Sequence, residues 1–409
     1  SIMCTARVTG DLKVGNFSVT FKDLEIPVAG IPITIYRSYD SRISHKKGDF
    51  GYGWNIDIQT TKIEENRKSG EGWYIDSTGG LIPTYHLLPD GEHYVSITLP
   101  DGKVLEFDCK FSPESQLAYP MEWIDSAIYT PRPGTQGVLI ALDDDPMQFN
   151  GMHIINWNFE IFYPDCYQLT TQDGTIYIID QNTGILKVTD NNGNYLDFTI
   201  DGIIHSSGKS VTFIRDTEGR ITEITDPMGN TLTYTYDGNG DLISFTDQEG
   251  NTSQYTYNHS HGLVDIIDPR GIRPMRNEYD YDGRLIAHTD AEGNRIEYTH
   301  NIDTRQEIIK DRLDHITVYE YDNKGNVISK ADPLGNITTY TYDERGNKLS
   351  ETDPLGNTIT YNYNYNNNPL TQTDPLGNTI SYTYNSRGQV LTTIDPLGNI
   401  TTNTYDTRG

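Results

Sequence analysis

The sequence predicts an all-β protein in which repeated antiparallel hairpins form a wide, coiling spiral sheet, preceded by an irregular β-rich N-terminal region. Two observations lead to this fold class. The pentapeptide DPLGN recurs at Asp332–Asn336, Asp353–Asn357, Asp374–Asn378 and Asp395–Asn399, and a variant, DPMGN, lies at Asp226–Asn230. The 409 residues also include 29 Tyr and 37 Gly. Both numbers are higher than is usual in a helical protein.

The aspartate that opens this pentapeptide marks a repeat with a nearly constant period. Aligned turns open at Asp226, Asp247, Asp268, Asp290, Asp311, Asp332, Asp353, Asp374 and Asp395. The spacing is 21 residues throughout, apart from one interval of 22 residues between Asp268 and Asp290. Such a register over nine turns is not a coincidence, and it predicts one supersecondary unit per repeat.

Each repeat contains two turns. In Asp353–Gly356 the order Asp-Pro-Leu-Gly has the signature of a type I turn followed by a left-handed glycine. Joined to two strands, this turn makes a hairpin with a glycine bulge. Asp343–Gly346 has the same Asp and Gly without the Pro. We therefore predict the order strand, turn, strand, turn, so that 21 residues make one hairpin.

The strands between the turns alternate in character. In Thr358–Tyr363, the side chains of Ile359, Tyr361 and Tyr363 share one face, whereas the threonines and Asn362 take the other. The other copies supply the pairs Tyr234/Tyr236, Tyr255/Tyr257, Tyr298/His300, Tyr319/Tyr321, Tyr340/Tyr342 and Tyr382/Tyr384. The return strand brings one larger aliphatic residue per repeat: Ile243, Val264, Ile286, Ile328, Leu349, Leu370 and Leu391. The copy opened by Asp290 departs from this pattern, with Glu307 at that position.

Consecutive hairpins are expected to pair with each other, because an isolated hairpin is only marginally stable. Two strands per repeat widen the sheet by roughly 9.6 Å, so nine repeats make a sheet roughly 85 Å wide. Twist accumulates across so wide a sheet, and it must coil, close or pack. The tyrosine stripe can bind sugars or bases by stacking, or it can be ordinary cross-strand packing, which we prefer.

Four regions follow from these patterns. Residues 1–110 have β character without a strict period, with alternation in Ile31–Tyr36. Residues 111–165 are irregular and proline-containing, and we interpret them as an insertion or lid. Residues 166–225 form transitional hairpins, and residues 226–409 are the repeats of about 21 residues, which we expect to be truncated at the C-terminus.

The pattern Tyr-Asp-x-x-Gly-Asn followed by Thr-Asp-Pro-Leu-Gly-Asn, as in residues 342–357, resembles the Rhs or YD-repeat family. Residues 8–19, 26–42 and 49–58 are similar to the segment that precedes the repeats in bacterial Rhs proteins. The resemblance covers nearly the whole chain. It is most specific in the repeats and weakest in residues 111–165.

The resemblance implies hairpins wound into a hollow shell that encloses a C-terminal toxin domain. Insecticidal toxin complexes have such a shell in their B and C components, and teneurins share the architecture. Bacterial members typically end in a core segment that cleaves itself with acidic residues, and this sequence has no such segment. The resemblance therefore implies the protein's own C-terminal toxin or core domain as a partner, absent from this chain, and a secreted or cell-surface location.

Charge and composition exclude several function classes. The net charge of −27 disfavours nucleic acid and anionic lipid as partners. No stretch of about 18 apolar residues exists, so no membrane span is predicted. Cys4, Cys109 and Cys166 are too few and too far apart for a disulfide framework or a metal cluster.

Four groups of residues could carry chemistry, and each has a simpler interpretation. Asp237–Asp241 resembles a calcium loop, but Leu242 and Gln248 stand where such a loop needs Gly and Glu, so we predict a repeat turn. His259 and His261 have no evident third metal ligand and are interpreted as loop histidines. Asp143–Asp145 is interpreted as solvated.

The fourth group is a pairing of carboxylates with tryptophans. Glu122 and Asp125 flank Trp123, and Glu160 follows Trp157, as in a glycosidase. Acidic residues are frequent along the whole chain, so we predict no enzyme, no catalytic, cofactor-binding or metal-binding residue, and no cofactor.

The sequence predicts a non-enzymatic shell segment that encapsulates and helps to deliver a C-terminal payload. The alternative is a secreted or wall-associated adhesin that binds glycans or proteins through the sheet surface.

Overall fold

In the computed structural model, residues 15–56, 61–100, 102–143 and 146–405 are described, and they form strands and turns with a single 3₁₀ turn at Ser41–Ile43. The first part of the chain contains sixteen of the described strands: β1 (Ser18–Ile26), β2 (Ile33–Asp40), β3 (Lys47–Gly48), β4 (Gly51–Tyr52), β5 (Trp54–Ile56), β6 (Lys62–Glu65), β7 (Trp73–Thr78), β8 (Thr84–Pro89), β9 (Tyr94–Thr98), β10 (Val104–Ser112), β11 (Ser115–Leu117), β12 (Trp123–Ile124), β13 (Ser126–Pro131), β14 (Gly137–Ala141), β15 (Met147–Phe149) and β16 (Ile154–Ile155). All of them except β14 form small sheets, in the orders β1-β2-β5, β3-β4, β13-β10-β9-β6, β11-β8-β7 and β12-β15-β16.

The rest of the chain forms one long sheet. Its strands are β17 (Cys166–Thr171), β18 (Ile176–Asp180), β19 (Gly184–Thr189), β20 (Tyr195–Thr199), β21 (Gly202–His205), β22 (Ser210–Arg215), β23 (Ile221–Thr225), β24 (Thr231–Tyr236), β25 (Leu242–Thr246), β26 (Thr252–Tyr257), β27 (Leu263–Ile267), β28 (Met275–Tyr279), β29 (Leu285–Asp290), β30 (Arg295–Asn301), β31 (Gln306–Lys310), β32 (Ile316–Tyr321), β33 (Val327–Ala331), β34 (Ile337–Tyr342), β35 (Lys348–Thr352), β36 (Thr358–Tyr363), β37 (Pro369–Thr373), β38 (Thr379–Tyr384), β39 (Val390–Ile394) and β40 (Ile400–Thr402). Together with β14 they make 25 strands among the described residues, each antiparallel to the next in order β14-β17-β18 and onward to β40. The predicted all-β fold of sequential hairpins is confirmed.

The DPLGN turns have the predicted geometry. The N–H of Gly356 donates to the carbonyl oxygen of Asp353 at 3.0 Å, and Gly356 has a φ of 86°. One carboxylate oxygen of Asp353 accepts the N–H groups of Leu355 and Asn357, and the other accepts the side-chain amide of Asn357. Asp, Gly and Asn of the motif are therefore explained by the turn itself, whereas the Leu355 side chain is exposed.

The other turn of most repeats is accompanied by a bulge, which changes the residue that is buried. The register of β24 and β25 shifts so that Leu242 lies opposite Tyr236. Leu242 is buried and Ile243, the aliphatic residue predicted for the return strand, is exposed. The bulge inserts one extra residue and so moves its neighbour to the tyrosine side of the sheet. Leu263 and Leu285 are buried in the same way.

The long sheet coils on itself. The N–H of Gly134, just before β14, donates to the carbonyl oxygen of Tyr365 at 3.2 Å, and a Cβ at Gly134 would lie 2.0 Å from the amide of Asn367. One repeat further on, Gly388 lies against Gln136 and Gln172. The turns of late repeats thus pack on the opposite edge of the first strands. One turn of the coil takes about 20 strands, or roughly 100 Å of sheet at the usual spacing.

We call the side of the long sheet that carries Tyr234, Tyr255, Tyr319, Tyr340 and equivalent residues the Tyr face. The small N-terminal sheets pack on this face from β17 to β28, where they share one hydrophobic core with it. Ring contacts such as Tyr129–Tyr167, Phe50–Tyr234 and Trp54–Tyr255 lie along this core. A single body can contact one face through most of a coil only from the concave side, so the Tyr face is concave.

Residues 111–165, predicted as an irregular insertion or lid, consist of short strands and turns in the structure. They contain β11 to β16, and β14 is the first strand of the long sheet. Their strands are short and end at prolines and turns, so they carry no readable period. The division of the chain at residues 110, 165 and 225 stays a prediction.

Candidate functional site

The second tyrosine of most repeats hydrogen-bonds to the preceding repeat. In each case its hydroxyl donates to the carbonyl oxygen of the first residue of a return strand, at 2.5–3.1 Å: Tyr236 to Ile221, Tyr257 to Leu242, Tyr279 to Leu263, Tyr342 to Val327, Tyr363 to Lys348, Tyr384 to Pro369 and Tyr405 to Val390. We call these bonds the tyrosine ladder. Each ladder bond gives a hydrogen-bond donor to a carbonyl beside the bulge and connects two consecutive hairpins. The stripe is therefore structural at this position, as the packing interpretation expects.

The Tyr face has two halves with different surroundings. In the first half, Phe245 and Ile266 lie opposite Tyr234 and Tyr255, and both tyrosines are buried. From Tyr319 onward, in the second half, polar residues take the place of these apolar partners: Lys330 lies opposite Tyr319, Glu351 opposite Tyr340, Gln372 opposite Tyr361 and Thr393 opposite Tyr382. After β29, Glu307 is the one buried residue in the part of the chain that the structure describes. The second half is thus a polar, tyrosine-bearing concave surface on which, in the described chain, Glu307 is the only residue that is buried.

A buried ion pair joins the N-terminal sheets to the repeats. Arg37 of β2 is 0% exposed, and its guanidinium donates to the carboxylate of Asp23 at 2.7 and 3.1 Å. It also donates to the hydroxyl of Tyr255, and Tyr234 donates to Asp23. Five aromatic rings surround the guanidinium, with centroids 4.7–5.8 Å from its carbon: Phe21, Trp54, Tyr234, Phe245 and Tyr255. Burial opposes the charge of Arg37, but Asp23 and Tyr255 outweigh it and hold the pKa well above its ordinary value.

Backbone hydrogen bonds extend this junction along the sheet. The N–H groups of Ile221 and Leu285 donate to the carbonyl oxygens of Asp49 and Gly15, and that of Leu263 donates to the hydroxyl of Tyr39. These three donors occupy the first position of a return strand, the position whose carbonyl accepts the ladder bond. At the bulge this N–H has no hydrogen-bond acceptor on the neighbouring strand, and in these three repeats an oxygen atom of the N-terminal region accepts it instead.

The histidines and aspartates singled out in the sequence lie in turns. His261 does not face His259: its Nδ1 lies 2.9 Å from Asp241, its ring stacks on Tyr52, and His259 is exposed. Asp237 accepts two backbone N–H groups of its own turn, as a repeat turn requires. Asp143 accepts the N–H of Asp165, whereas Asp144 and Asp145 lie outside the described residues. Within the described ranges, no group of three or more His, Cys, Asp or Glu side chains is placed to hold a metal ion.

The tryptophans singled out in the sequence come together. Trp123 of β12 and Trp157, in the turn after β16, stack with ring centroids 6.2 Å apart. They are 53% and 62% exposed, and Phe159 in the same turn is 82% exposed with a φ of 63°. The adjacent carboxylates Glu122 and Glu160 are exposed on the surface. The arrangement is an aromatic surface patch and not an enclosed cleft.

The cysteines form no site in the described chain. Cys109 and Cys166 are free thiols, and Cys4 lies outside the described residues. Burial raises the pKa of the Cys109 thiol to about 12, which makes it unreactive at neutral pH. None of the helical segments described here has the length and apolarity to cross a membrane.

An open depression of about 390 Å³ lies beside β30 and is lined by charged residues. Arg295 forms ion pairs with Glu278 and Glu297 there, and Asp280 pairs with Arg284. The imidazole of His300 also lines the depression.

Comparisons with known proteins agree with the hairpin repeat. A family model described as RHS Repeat matches residues 215–244, 236–273, 321–358 and 363–400, and one described as Domain of unknown function (DUF6531) matches residues 11–83. No curated protein matches this chain.

Three solved structures match this chain at low identity. A crystal structure of TcdB2-TccC3-Cdc42 has 11% identity and a TM-score of 0.35 over 78% of this chain. A crystal structure of TcdB2-TccC3 has 14% identity and a TM-score of 0.36 over 77%. A mutant Tc holotoxin pore from Photorhabdus luminescens has 13% identity and a TM-score of 0.36 over 91%. This chain spans 22% to 25% of the length of those chains.

The RHS Repeat matches lie on the hairpins whose turns and ladder bonds are described above, and they include all four copies of DPLGN in whole or in part. A sheet built from such repeats is a structural wall. The hairpins of residues 215–273, 321–358 and 363–400 thus carry RHS repeats, the repeat that the sequence pattern resembles.

Proposed function

We propose that this chain is part of a non-enzymatic shell that encloses a payload carried by the C-terminal part of its own protein and helps to deliver it. The shell keeps the payload from solvent, from proteases and from the cell that makes it. We further propose a secreted or cell-surface location. The RHS repeats support the structural role, and the polar second half of the Tyr face supports the enclosure of a payload.

That half of the Tyr face is the observation that carries the proposal. It is concave, and from β30 to β40 Glu307 is its one buried residue within the described chain. The residues opposite its tyrosines include Lys330, Glu351 and Gln372, which are poor choices for a permanent hydrophobic interface. A surface that offers hydroxyls, amides and charges can contact an incompletely folded chain without holding it irreversibly.

Protease protection of the payload tests the proposal. The protein is produced with its natural C-terminal continuation, and the payload is also produced alone. During digestion with a nonspecific protease, we expect payload peptides to survive at least about tenfold longer in the full protein, because digestion then requires opening of the wall. Payload fragments are quantified by mass spectrometry. Equal digestion rates for the enclosed and the free payload would overturn the proposal.

The exposed tryptophan patch favours the adhesin as a second candidate function. Large exposed aromatic side chains on a soluble protein mark interaction sites, and Phe159 keeps a strained backbone without burying its ring. If the chain is an adhesin, glycan-array binding should be lost in Trp123→Ala/Trp157→Ala and kept in Tyr281→Ala, which removes a fully exposed tyrosine elsewhere. Absence of binding by the unmodified protein would exclude a glycan adhesin.

A further inference from the structure

One repeat breaks the tyrosine ladder. In the copy opened by Asp290, His300 stands at the ladder position and Glu307 lies directly opposite it in β31. The pairing of β30 with β31 shows no bulge, unlike the equivalent pairs before and after it. The hydroxyl of Tyr321, the next ladder residue, is buried without a hydrogen-bond partner. The ladder bond is therefore replaced at His300 and missing at Tyr321.

The imidazole of His300 lies between two oxygen acceptors. Its Nδ1 is 2.6 Å from a carboxylate oxygen of Glu307, and its Nε2 is 2.6 Å from the carbonyl oxygen of Leu285. The two side chains are 3% and 8% exposed. A neutral imidazole has one N–H and one lone pair, so one of its nitrogens would face an oxygen across a repulsive contact. Both contacts are favourable hydrogen bonds only when His300 carries two protons.

The charged and titratable groups around the pair come from every adjacent strand. Arg284, at the start of β29, opposes a positive charge on His300, although its guanidinium is held by Asp280 and Asp282. Tyr298 stacks on the imidazole from the same strand. From β32, Tyr319 lies opposite Glu307, and Tyr321 interacts with Glu307 electrostatically. Glu307 is thus the one negatively charged group that contacts the imidazole among the described residues.

The pair occupies the boundary between the covered and the open half of the Tyr face. The same Leu285 whose carbonyl accepts from His300 donates its N–H to the carbonyl oxygen of Gly15, in the N-terminal region. Beyond this point the N-terminal sheets no longer cover the wall. Loss of the His300 contacts therefore affects the place where the covered part of the wall ends.

We propose that His300 and Glu307 form a pH-sensitive joint in the wall, which holds β29, β30 and β31 together when His300 is protonated and loosens this one repeat when it is not. The neighbouring repeats are held by tyrosine hydroxyls, which do not titrate near neutral pH. The joint thus makes one defined position of an otherwise uniform sheet respond to pH.

The direction in which pH changes the stability of the joint follows from the pKa of His300. Burial lowers it, but the hydrogen bond to Glu307 and that to Leu285 outweigh burial and raise it above the ordinary value for histidine. A group whose pKa is higher in the folded state stabilises that state fully below its unfolded pKa of about 6.5 and loses this contribution as the pH rises through the folded pKa. The joint is therefore tight in mild acid and loose in mild alkali.

Hydrogen exchange of the whole chain tests the joint. Protection of peptides covering residues 295–310 is measured at pH about 6 and about 8.5 and corrected for the intrinsic pH dependence of amide exchange. We expect protection to fall about tenfold at the higher pH, whereas peptides covering residues 337–352, held by Tyr342, stay unchanged. Equal pH responses of the two segments would overturn the proposal.

The repeat itself supplies the matched variant. His300→Tyr/Glu307→Leu introduces the pair that other copies carry at these facing positions, such as Tyr279 and Leu285, and we expect it to remove the pH dependence of residues 295–310. Persistence of the pH dependence in this variant would also overturn the proposal. A direct NMR titration of the His300 imidazole in the unmodified protein, assigned by its absence from His300→Tyr, is independent of the variant's stability. A His300 pKa at or below the ordinary value for histidine would refute the joint.

Discussion

Arg37→Met is expected to lower the free energy of unfolding by about 3–5 kcal/mol, because it leaves the carboxylate of Asp23 buried without its cation. Asp23 would keep the hydrogen bond from Tyr234, but no other cation contacts it in the described chain. Methionine also gives up the interaction with five aromatic rings. The midpoint of urea unfolding, followed by tryptophan fluorescence, measures the change, since Trp54 lies in this cluster.

Two further variants separate the buried pair from a general effect of removing charge. Arg67→Met breaks the more exposed pair with Asp90 and should cost at most about 1 kcal/mol. Arg37→Met/Asp23→Leu removes both charges, and it should be less destabilised than Arg37→Met alone. If Arg37→Met and Arg67→Met unfold at the same urea concentration, the cluster is not the junction that the structure indicates.

Acid is expected to unfold the repeats through their DPLGN turns. The side-chain amide of Asn357 and the backbone N–H groups of Asn357 and Leu355 lower the pKa of Asp353, and Asp332, Asp374 and Asp395 are shifted in the same direction. A carboxylate with a lowered pKa stabilises the folded state above its unfolded pKa of about 3.9 and loses that contribution as the pH falls through the folded pKa. We expect the urea midpoint to fall steadily from pH about 4 to about 2.

The chain offers a natural substitute for these aspartates. Asn364 opens a turn of the same kind and accepts the N–H groups of Asn366 and Asn368 with its side-chain oxygen. Changing the four DPLGN aspartates to asparagine should therefore keep the turns and flatten the fall of the midpoint in acid. Glu122→Gln/Asp125→Asn/Glu160→Gln, at exposed carboxylates outside the turns, serves as the control. Equal acid profiles for the two sets would contradict the assignment of the acid response to the turns.

The turns and strands of the repeats could be predicted from the sequence because their causes are local. Asp353 and Gly356 interact with atoms within four residues, and a period of two along Thr358–Tyr363 is a property of one strand. Such short-range causes leave a pattern that recurs in every copy. The prediction of antiparallel hairpins in sequence order was therefore confirmed.

Contacts between distant parts of the chain could not be predicted in this way. The bulge that buries Leu242 in place of Ile243 depends on pairing with Tyr236 across a turn. No residue type in the sequence is specific for such a bulge. The pair of Arg37 with Asp23 depends on Tyr234 and Tyr255, some 200 residues away. The ladder did leave a sequence signal, because the second residue of the pair is tyrosine from Tyr236 to Tyr405 in every copy except the one that carries His300, where the bond changes.

The reach of the ladder bond has a consequence for how such proteins diversify. Tyr342 contacts the carbonyl of Val327 in the preceding hairpin, and Tyr363 repeats this contact with Lys348 one hairpin later. Duplication or loss of one whole repeat in the gene therefore preserves every such bond, whereas an insertion of a single codon in a strand reverses the two faces beyond it. The length of the wall along its coil can therefore change by recombination between repeats while every ladder bond is kept.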